Sequence, residues 1–426
     1  LLFFACLGFI SPDSCALTLD EAISLAREKL PSYKAGEIHV QSTDALFQGS
    51  LSPYLPTLSA SGALGPDVTS LDELYSNPYN VELSYLLYDA GNRKANRNIA
   101  RLNLDVDREE LRKVLILLEY DVKTAFYSVM AKRNILEERK TQLRDAQKDH
   151  EVAAGRNRLG AARLSDVLQA SVRLEQARFN VIQAEGEFNN ALSDLNSLLM
   201  RPLDSPYDIE GSLESSPIRP ERNQLADIAL KRPDIRQAEN AIQIKENDTT
   251  AARSVLYPSL SFNVGYQKRI YPGTDIEATE QKVVDVTANW NIFELSNLYK
   301  IKSSKLLKQV QEERLKELKR TVLLEVQKSY EDFLIAHKNL AVAAEQLRQA
   351  EHNYAQALGE YRVGKGDILA LVQAESSLAS ARDQQCTSQL NLALAKAQLE
   401  RVTGIERLES MKSVLIDEAH SGKGAP

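Results

Sequence analysis

Cysteine is almost missing from this chain: there are three in 426 residues, and Cys6 and Cys15 both fall near the start. Cys386 is then alone in the body of the chain, so no intrachain disulfide can staple it. Proline is absent from Tyr79 to Arg201 and again from Gly273 to Ala425, which leaves two very long stretches free of the residue that breaks helices. Glycine is sparse there too and gathers at one place in each: Gly155 and Gly160, then Gly359, Gly364 and Gly366. Aromatic residues make up only 6 % of a chain that is 43 % hydrophobic, a composition of long helices rather than of a thick globular core. A net charge of −7 without a basic cluster argues against nucleic acid as a partner.

Catalytic and metal-binding patterns are missing as well. The five histidines, His39, His150, His337, His352 and His420, are scattered without metal-ligand spacing. Gly364-Lys365-Gly366-Asp367 lacks the spacing of a phosphate-binding loop, and its surroundings are helical rather than strand-then-helix. No nucleophile–base pair can be argued, so the expectation is a protein that is not an enzyme and needs no cofactor or metal. Beyond the first sixteen residues there is no run of 18 apolar residues, so no transmembrane helix is predicted. Residues 1–16 do hold an apolar run, Leu1 to Ile10, followed by the small residues Ser14-Cys15-Ala16, and read as a truncated signal peptide. Neither Cys6 nor Cys15 sits in a good context for lipid attachment.

What is present is a repeat. Val167, Ala170, Leu174, Ala177, Val181, Ala184, Phe188, Ala191, Leu195 and Leu198 step by three and four, and all are apolar. The same register returns 204 positions later, from Leu371, Ala374, Leu378 and Ala381 through Gln385 and Ser388 to Leu392, Ala395, Leu399 and Val402. Such a seam over about four to five heptads is a coiled-coil signal. In each copy a proline-free helix, a glycine-bounded turn and a returning helix spell a long antiparallel helical hairpin. The outgoing helix of the first, about Asn92 to Ala154, would run roughly 90 Å at 1.5 Å per residue, and the return from Leu164 to Met200 is shorter.

Ahead of each helical hairpin the hydrophobic period drops to two. Tyr54 to Leu64 and Tyr79 to Tyr88 alternate, separated by a turn-rich piece with Pro66, Asp67, Asn77 and Pro78. In the second copy Tyr257 to Tyr266 and Val284 to Ile292 alternate around a loop from Tyr271 to Glu280. Strands of about ten residues with one apolar face and aromatic ends suit a membrane barrel. Leu260, Phe262, Val264, Tyr266 and Trp290, the only tryptophan, are the expected lipid-facing residues, with Ser261 and Asn263 on the lumen face. An amphipathic helix precedes each hairpin: Leu17 to Gln41, with Thr18 and Glu21 placed for a capping box, and Leu225 to Ile244, with Pro31 matching Pro233. The resulting plan is a signal peptide (1–16), N-terminal helix (17–53), β-hairpin (54–89) and helical hairpin (90–200). A proline-rich connector (201–224) follows, then a second helix (225–256), β-hairpin (257–293) and helical hairpin (294–407), and a tail (408–426).

With this order of elements, the chain resembles the TolC-like outer-membrane efflux family. The resemblance rests on Thr18-Leu19-Asp20-Glu21-Ala22, Arg232-Pro233-Asp234, Tyr257-Pro258-Ser259-Leu260, and Tyr361-Arg362-Val363-Gly364 with its counterpart Asn157-Arg158-Leu159-Gly160. It implies a mainly α fold with a β-barrel part, built as a homotrimer in which twelve strands close one barrel above a twelve-helix tunnel. It further implies a passive exit duct of a tripartite efflux or type I secretion system, in the outer membrane with a periplasmic extension. The partners implied are a periplasmic adaptor, an inner-membrane transporter and outer-membrane lipid. The adaptor would grip the turns at Arg158, Leu159, Gly160, Arg362, Val363 and Gly364. Tyr361 matches a tip tyrosine that bonds a carboxylate of the first hairpin, and Asp166 matches that carboxylate. Where the family prototype has an arginine and two acidic residues after the second turn, this chain has Gly366, Ala370 and Gln373, with Lys365 and Asp367 close by. The competing readings are a coiled-coil scaffold or tether without a pore, which would need no alternating strands, and a periplasmic adaptor, which would carry one helical hairpin rather than two.

Overall fold

The computed structural model describes residues 16–63, 66–67, 74–75, 77–206, 208–211, 213, 221–272, 275–405 and 407–408. All but the last residue of the expected signal peptide, most of the tail and the connector prolines Pro217 and Pro220 lie outside the described residues.

The first helix, α1 (Leu19–Lys29), starts where the capping box puts it: the Glu21 amide donates to Thr18 Oγ1 at 3.3 Å, and Glu21 Oε2 accepts from the Thr18 amide at 3.0 Å. The single helix expected over Leu17 to Gln41 is two helices. Leu30 is extended (φ −67, ψ 122), because the ring of Pro31 disfavours helical backbone in the residue before it, and α2 (Pro31–Gly49) starts afresh. The second copy breaks at the same place. There α5 (Arg222–Ala229) stops short of Pro233, which opens α6 (Pro233–Ser254). The duplicated prolines therefore mark duplicated joints.

The chain divides into two compact units. One comprises Gly36–Arg112 and Pro233–Arg320 and holds a four-stranded antiparallel sheet. Its strands are β1 (Thr57–Gly62), β4 (Asn77–Tyr88), β5 (Ser259–Ile270) and β6 (Thr279–Asn289), side by side in that order. Between β1 and β4 the short strands β2 (Pro66–Asp67) and β3 (Leu74–Tyr75) pair with each other. Two sequence readings are corrected here. Asn77 and Pro78 belong to β4 rather than to a turn, which proline allows near the start of a strand, where its missing N–H costs little. The final strand begins at Thr279, earlier than expected, and ends at Asn289. Trp290 thus lies just past the strand instead of in it, with its indole N–H bonded to the Leu256 carbonyl at 3.2 Å.

Register sorts the side chains of the sheet. Leu58 pairs with Leu83, Leu83 with Val264, and Val264 with Val284; Tyr85 pairs with Phe262, and Phe262 with Val286. Directly paired residues share a face, so these form one apolar surface that also takes in Val81 and Tyr266. The other face is a polar ladder. Ser84 donates to Asn263 Oδ1 at 2.9 Å, and the Asn263 amide donates to Asp285 at 2.9 Å and to Thr287 at 3.1 Å. The outer edges of β1 and β6 carry no partner strand among the described residues.

The other unit takes in residues up to Ala35, Lys113–Arg232 and Thr321 onward. It holds most of α3 (Asn92–Arg158), all of α4 (Leu164–Leu198), the later part of α7 (Leu295–Arg362), and α8 (Ile368–Thr403). Val122, Phe126 and Val129 of α3, Val322 of α7, and Leu371, Leu392 and Leu399 of α8 are almost wholly buried. The two seams read from the sequence face inward as seams: no position of either is exposed, and eight of the ten on α8 are buried. The α4 copy is the more open one. A second apolar stripe on α4, Leu168, Val172, Phe179 and Ile182, points away from the seam and is exposed.

Candidate functional site at the helical turns

Each helical hairpin reverses at a glycine. Gly160 (φ 73) and Gly364 (φ 77) adopt the left-handed backbone that a Cβ would strain, and each follows the last turn of its helix. The bonds match between copies. The Gly160 amide donates to the Asn157 carbonyl at 2.9 Å and the Ala161 amide to Arg156 at 2.8 Å. The Gly364 amide donates to Tyr361 at 3.1 Å and the Lys365 amide to Glu360 at 2.9 Å. Both turns are Schellman caps, which satisfy carbonyls that a helix end otherwise leaves unpaired.

The outermost residues are exposed: Leu159 at 85 %, Val363 at 70 %, and Arg158, Arg362 and Lys365 with them. Asp367 is the exposed N-cap residue of α8, and Gln373 is exposed on the second turn of that helix. Asp166 sits in the first turn of α4, where its carboxylate accepts the Arg163 amide at 3.3 Å and the Ser165 hydroxyl at 3.2 Å. Tyr361 is only 3 % exposed. Its phenol is pushed up from the ordinary range, chiefly by burial. Arg156 works against that rise, and the nearby Asp166 adds to it.

The Tyr361–Asp166 hydrogen bond implied by the resemblance is not made. Tyr361 Oη is buried with no hydrogen-bond partner among the described residues, and Asp166 is committed to the start of its own helix. What holds Tyr361 is Arg156, whose guanidinium lies 4.6 Å over the phenol ring and donates to the Tyr361 carbonyl. Gly366 explains why no arginine reaches in from the second turn. A Cβ there would stand 3.0 Å from the Tyr361 amide nitrogen and 3.1 Å from the Glu360 carbonyl carbon, so no side chain fits without moving the turn.

A second layer lies farther from the turns. Arg173 of α4 pairs with Glu375 of α8, Arg139 of α3 with Asp383 of α8 at 2.7 Å, and Lys132 of α3 with Glu187 of α4 at 2.7 Å. Asp149 of α3 is pushed up to about 6 by burial and by the charges of Glu375 and Asp145, with Arg173 and Arg362 pulling the other way. Sequence reasoning missed Arg156 and Asp149. The one available signal was that the residue four before each turn glycine is basic in the first copy (Arg156) and acidic in the second (Glu360). Among the described residues no group of His, Cys, Asp or Glu is arranged to hold a metal ion, and no helix is long and apolar enough to cross a membrane.

A strand pair followed by a helical hairpin, given twice, with the strands merged into one open sheet, defines a class of duplicated sheet-and-helix proteins that includes outer-membrane channels. The chain belongs to the outer membrane efflux protein family, which it matches over residues 22–199 and 225–405. It is an outer-membrane duct rather than a scaffold without a pore. Protein CyaE of Bordetella pertussis is 26 % identical over 382 residues, which span 86 % of this chain and 80 % of CyaE. The pyoverdine export outer membrane protein OpmQ of Pseudomonas putida is 21 % identical over 415 residues, 93 % of this chain and 87 % of OpmQ. Crystal structures of the channel protein CusC share the fold at a TM-score of 0.79 with 18 % identity, over 91 % of this chain and 92 % of that one.

Proposed function

We propose that three copies of this chain assemble into one duct, in which three four-stranded sheets close a single twelve-strand barrel. The unpaired edges of β1 and β6 carry this reading. Open strand edges are intolerable in lipid, where no water can satisfy them, and only closure with other copies removes them. The exposed α4 stripe agrees, since an apolar row of that length on a lateral face is a surface that a neighbour covers. In this assembly Leu260, Phe262, Val264 and Tyr266 face lipid and Ser261 and Asn263 face the lumen. Trp290, one residue beyond β6, sits at the rim of the barrel.

The duct is passive: solute is delivered by an inner-membrane transporter through a periplasmic adaptor, in an efflux or type I secretion assembly. The exposed turn residues Arg158, Leu159, Gly160, Arg362, Val363 and Gly364 are the adaptor's contact surface. The aperture lies among Asp166, Tyr361, Lys365, Asp367 and Gln373. The supporting test is assembly. Outer-membrane fractions should yield a heat-dissociable species three times the mass of the chain, and the purified species should conduct ions in a planar bilayer. A monomer under mild detergent, or a trimer that never conducts, would overturn the reading.

A further inference from the structure

We propose that Lys268 and Lys282 form a binding site for the phosphate of an outer-leaflet glycolipid, one site on each chain of the duct. The proposal rests on the duct reading above, which turns the apolar face of the sheet toward lipid. Strand register shows how that face changes along its length. Leu83, Val264 and Val284 make an apolar row. Two residues farther from the helices, Val81, Tyr266 and Lys282 stand side by side, and two farther again come Tyr79, Lys268 and Glu280. Residues two apart in a strand keep to one face, so both lysines and both tyrosines continue the surface that meets lipid. The Lys268 ammonium donates to Glu280 Oε1 at 3.0 Å. Glu280 is the one carboxylate in these two rows, so two ammoniums stand against it and the patch is positive. Asp275 and Glu277 belong to the loop beyond the last paired row. Lys282 is exposed and holds no hydrogen bond or ion pair among the described residues.

Depth along the strands selects the occupant. From Leu260 to Lys268 is eight residues, about 27 Å along the strand and roughly 21 Å along the membrane normal at a tilt of about 40°. The apolar band of a membrane barrel is about 25 Å tall, so Lys268 stands at its margin, at the level of headgroups. Lys282, one row lower, reaches the same level on its flexible stem. The tyrosines suit that level too, because the ring packs on apolar groups while the hydroxyl stays wet. The opposite end of the face differs: it closes on Tyr88, Leu260 and Ala288, with Trp290 just beyond, and has no lysine or arginine there. Positive charge therefore marks only the leaflet on the loop side, which is the outer one when the helices stand in the periplasm. Lys268 and Lys282 are diagonal neighbours on adjacent strands, about 7–8 Å apart at the backbone, so both ammoniums can close on one anion. A phosphomonoester, with roughly −1.5 to −2 charges at neutral pH, matches two ammoniums better than the singly charged diester of a phospholipid does.

The test titrates the full-length trimer in mild detergent and counts bound lipids by native mass spectrometry. The probes are lipid A, a glycolipid bearing phosphomonoesters, lipid A stripped of its phosphates, and phosphatidylglycerol. The proteins are wild type, Lys282→Gln and Lys268→Gln/Lys282→Gln, with Lys316→Gln as control, an exposed lysine that pairs along its own helix with Glu313. One lysine at a charged membrane surface contributes about fivefold in affinity. Wild type should therefore bind lipid A roughly tenfold or more tightly than the dephosphorylated form, and more tightly than phosphatidylglycerol. Lys282→Gln should lose about fivefold, the double variant more and the control nothing, with the same yield of trimer throughout. Undiminished affinity of the double variant for lipid A would overturn the site, as would equal binding of the two forms of lipid A by wild type. That second comparison needs no substitution, so it decides the matter even if the variants fail to assemble. Phosphatidylglycerol bound as tightly as lipid A would overturn the phosphomonoester as ligand. A wild-type trimer that conducts but shows no preference for phosphate sinks the site alone. If wild type forms no trimer, or one that never conducts, the duct reading fails and the site falls with it.

Discussion

At the scale of single residues, position decides what a charge costs. Val264 and Asn263 are neighbours in β5, yet one belongs to the apolar face and the other to the ladder with Ser84, Asp285 and Thr287. Arginine in place of Val264 should cost roughly 2–4 kcal/mol if that face meets the middle of the membrane. Arginine in place of Asn263 would face polar groups, with Asp285 beside it, and should be tolerated. Trimer yield from outer-membrane fractions separates the two, and equal tolerance at both sites would count against the assigned faces. Asp149 provides a second residue-scale prediction. Its carboxyl sits at about 6 against an ordinary 3.8, so between those values the folded chain keeps a proton that the unfolded chain releases. Stability therefore falls as pH rises through that window, and the loss is complete above it. Asp149→Asn, neutral throughout, should melt higher than wild type at pH 7.5, and the gap should close toward pH 5. A gap that does not change with pH would show that Asp149 does not titrate there.

At the scale of elements, the two turns are the same motif built with different tolerance. Gly160 has its left-handed backbone but open space around it, so Gly160→Ala should cost about 1–2 kcal/mol from the backbone alone. Gly366 is not in a left-handed conformation, but its would-be Cβ stands 3.0 Å from the Tyr361 amide nitrogen and 3.1 Å from the Glu360 carbonyl carbon, so that backbone must give by a few tenths of an ångström. Gly366→Ala must displace the end of α7, and the thermal dissociation temperature of the trimer should fall further than for Gly160→Ala. The reverse order would mean that the second turn repacks freely. The joints before Pro31 and Pro233, earlier in each repeat, also differ. At Leu30 a steric rule acting on one residue divides the segment, whereas α5 already ends at Ala229, with Leu230 still helical, a few residues ahead of Pro233.

At the scale of the whole molecule, the proposed trimer would cover apolar surface that the described chain leaves exposed. Phe179 at 61 % and Ile182 at 69 % stand on the outer stripe of α4, away from the inward seam of Ala170, Ala184 and Ala191. A charged residue there should not disturb the single chain but should prevent neighbours from closing. Phe179→Asp together with Ile182→Glu is expected to give a folded, helical monomer in detergent, read by circular dichroism and by mass. A trimer as stable as wild type would remove this stripe from the interface.

The sequence by itself determined the duplicated plan, the two inward seams, the glycines of both turns and the alternating strands. Each is carried by a local period or by a residue whose own backbone preference speaks, so no distant partner is needed to read it. The limits of the strands were less legible. Pro78 and Trp290 shifted across a boundary, because hydrogen bonding to the neighbouring strand, not propensity, decides where pairing ends. Only the tertiary structure decided what surrounds Tyr361. Arg156 reaches it across 205 residues of chain, and Asp166, which the resemblance pairs with it, is held by its own helix start. The elevated Asp149 likewise depends on charges from three other helices, α4, α7 and α8, as well as its own. Contacts of that kind arise when remote segments pack together, and no pattern within one segment encodes them.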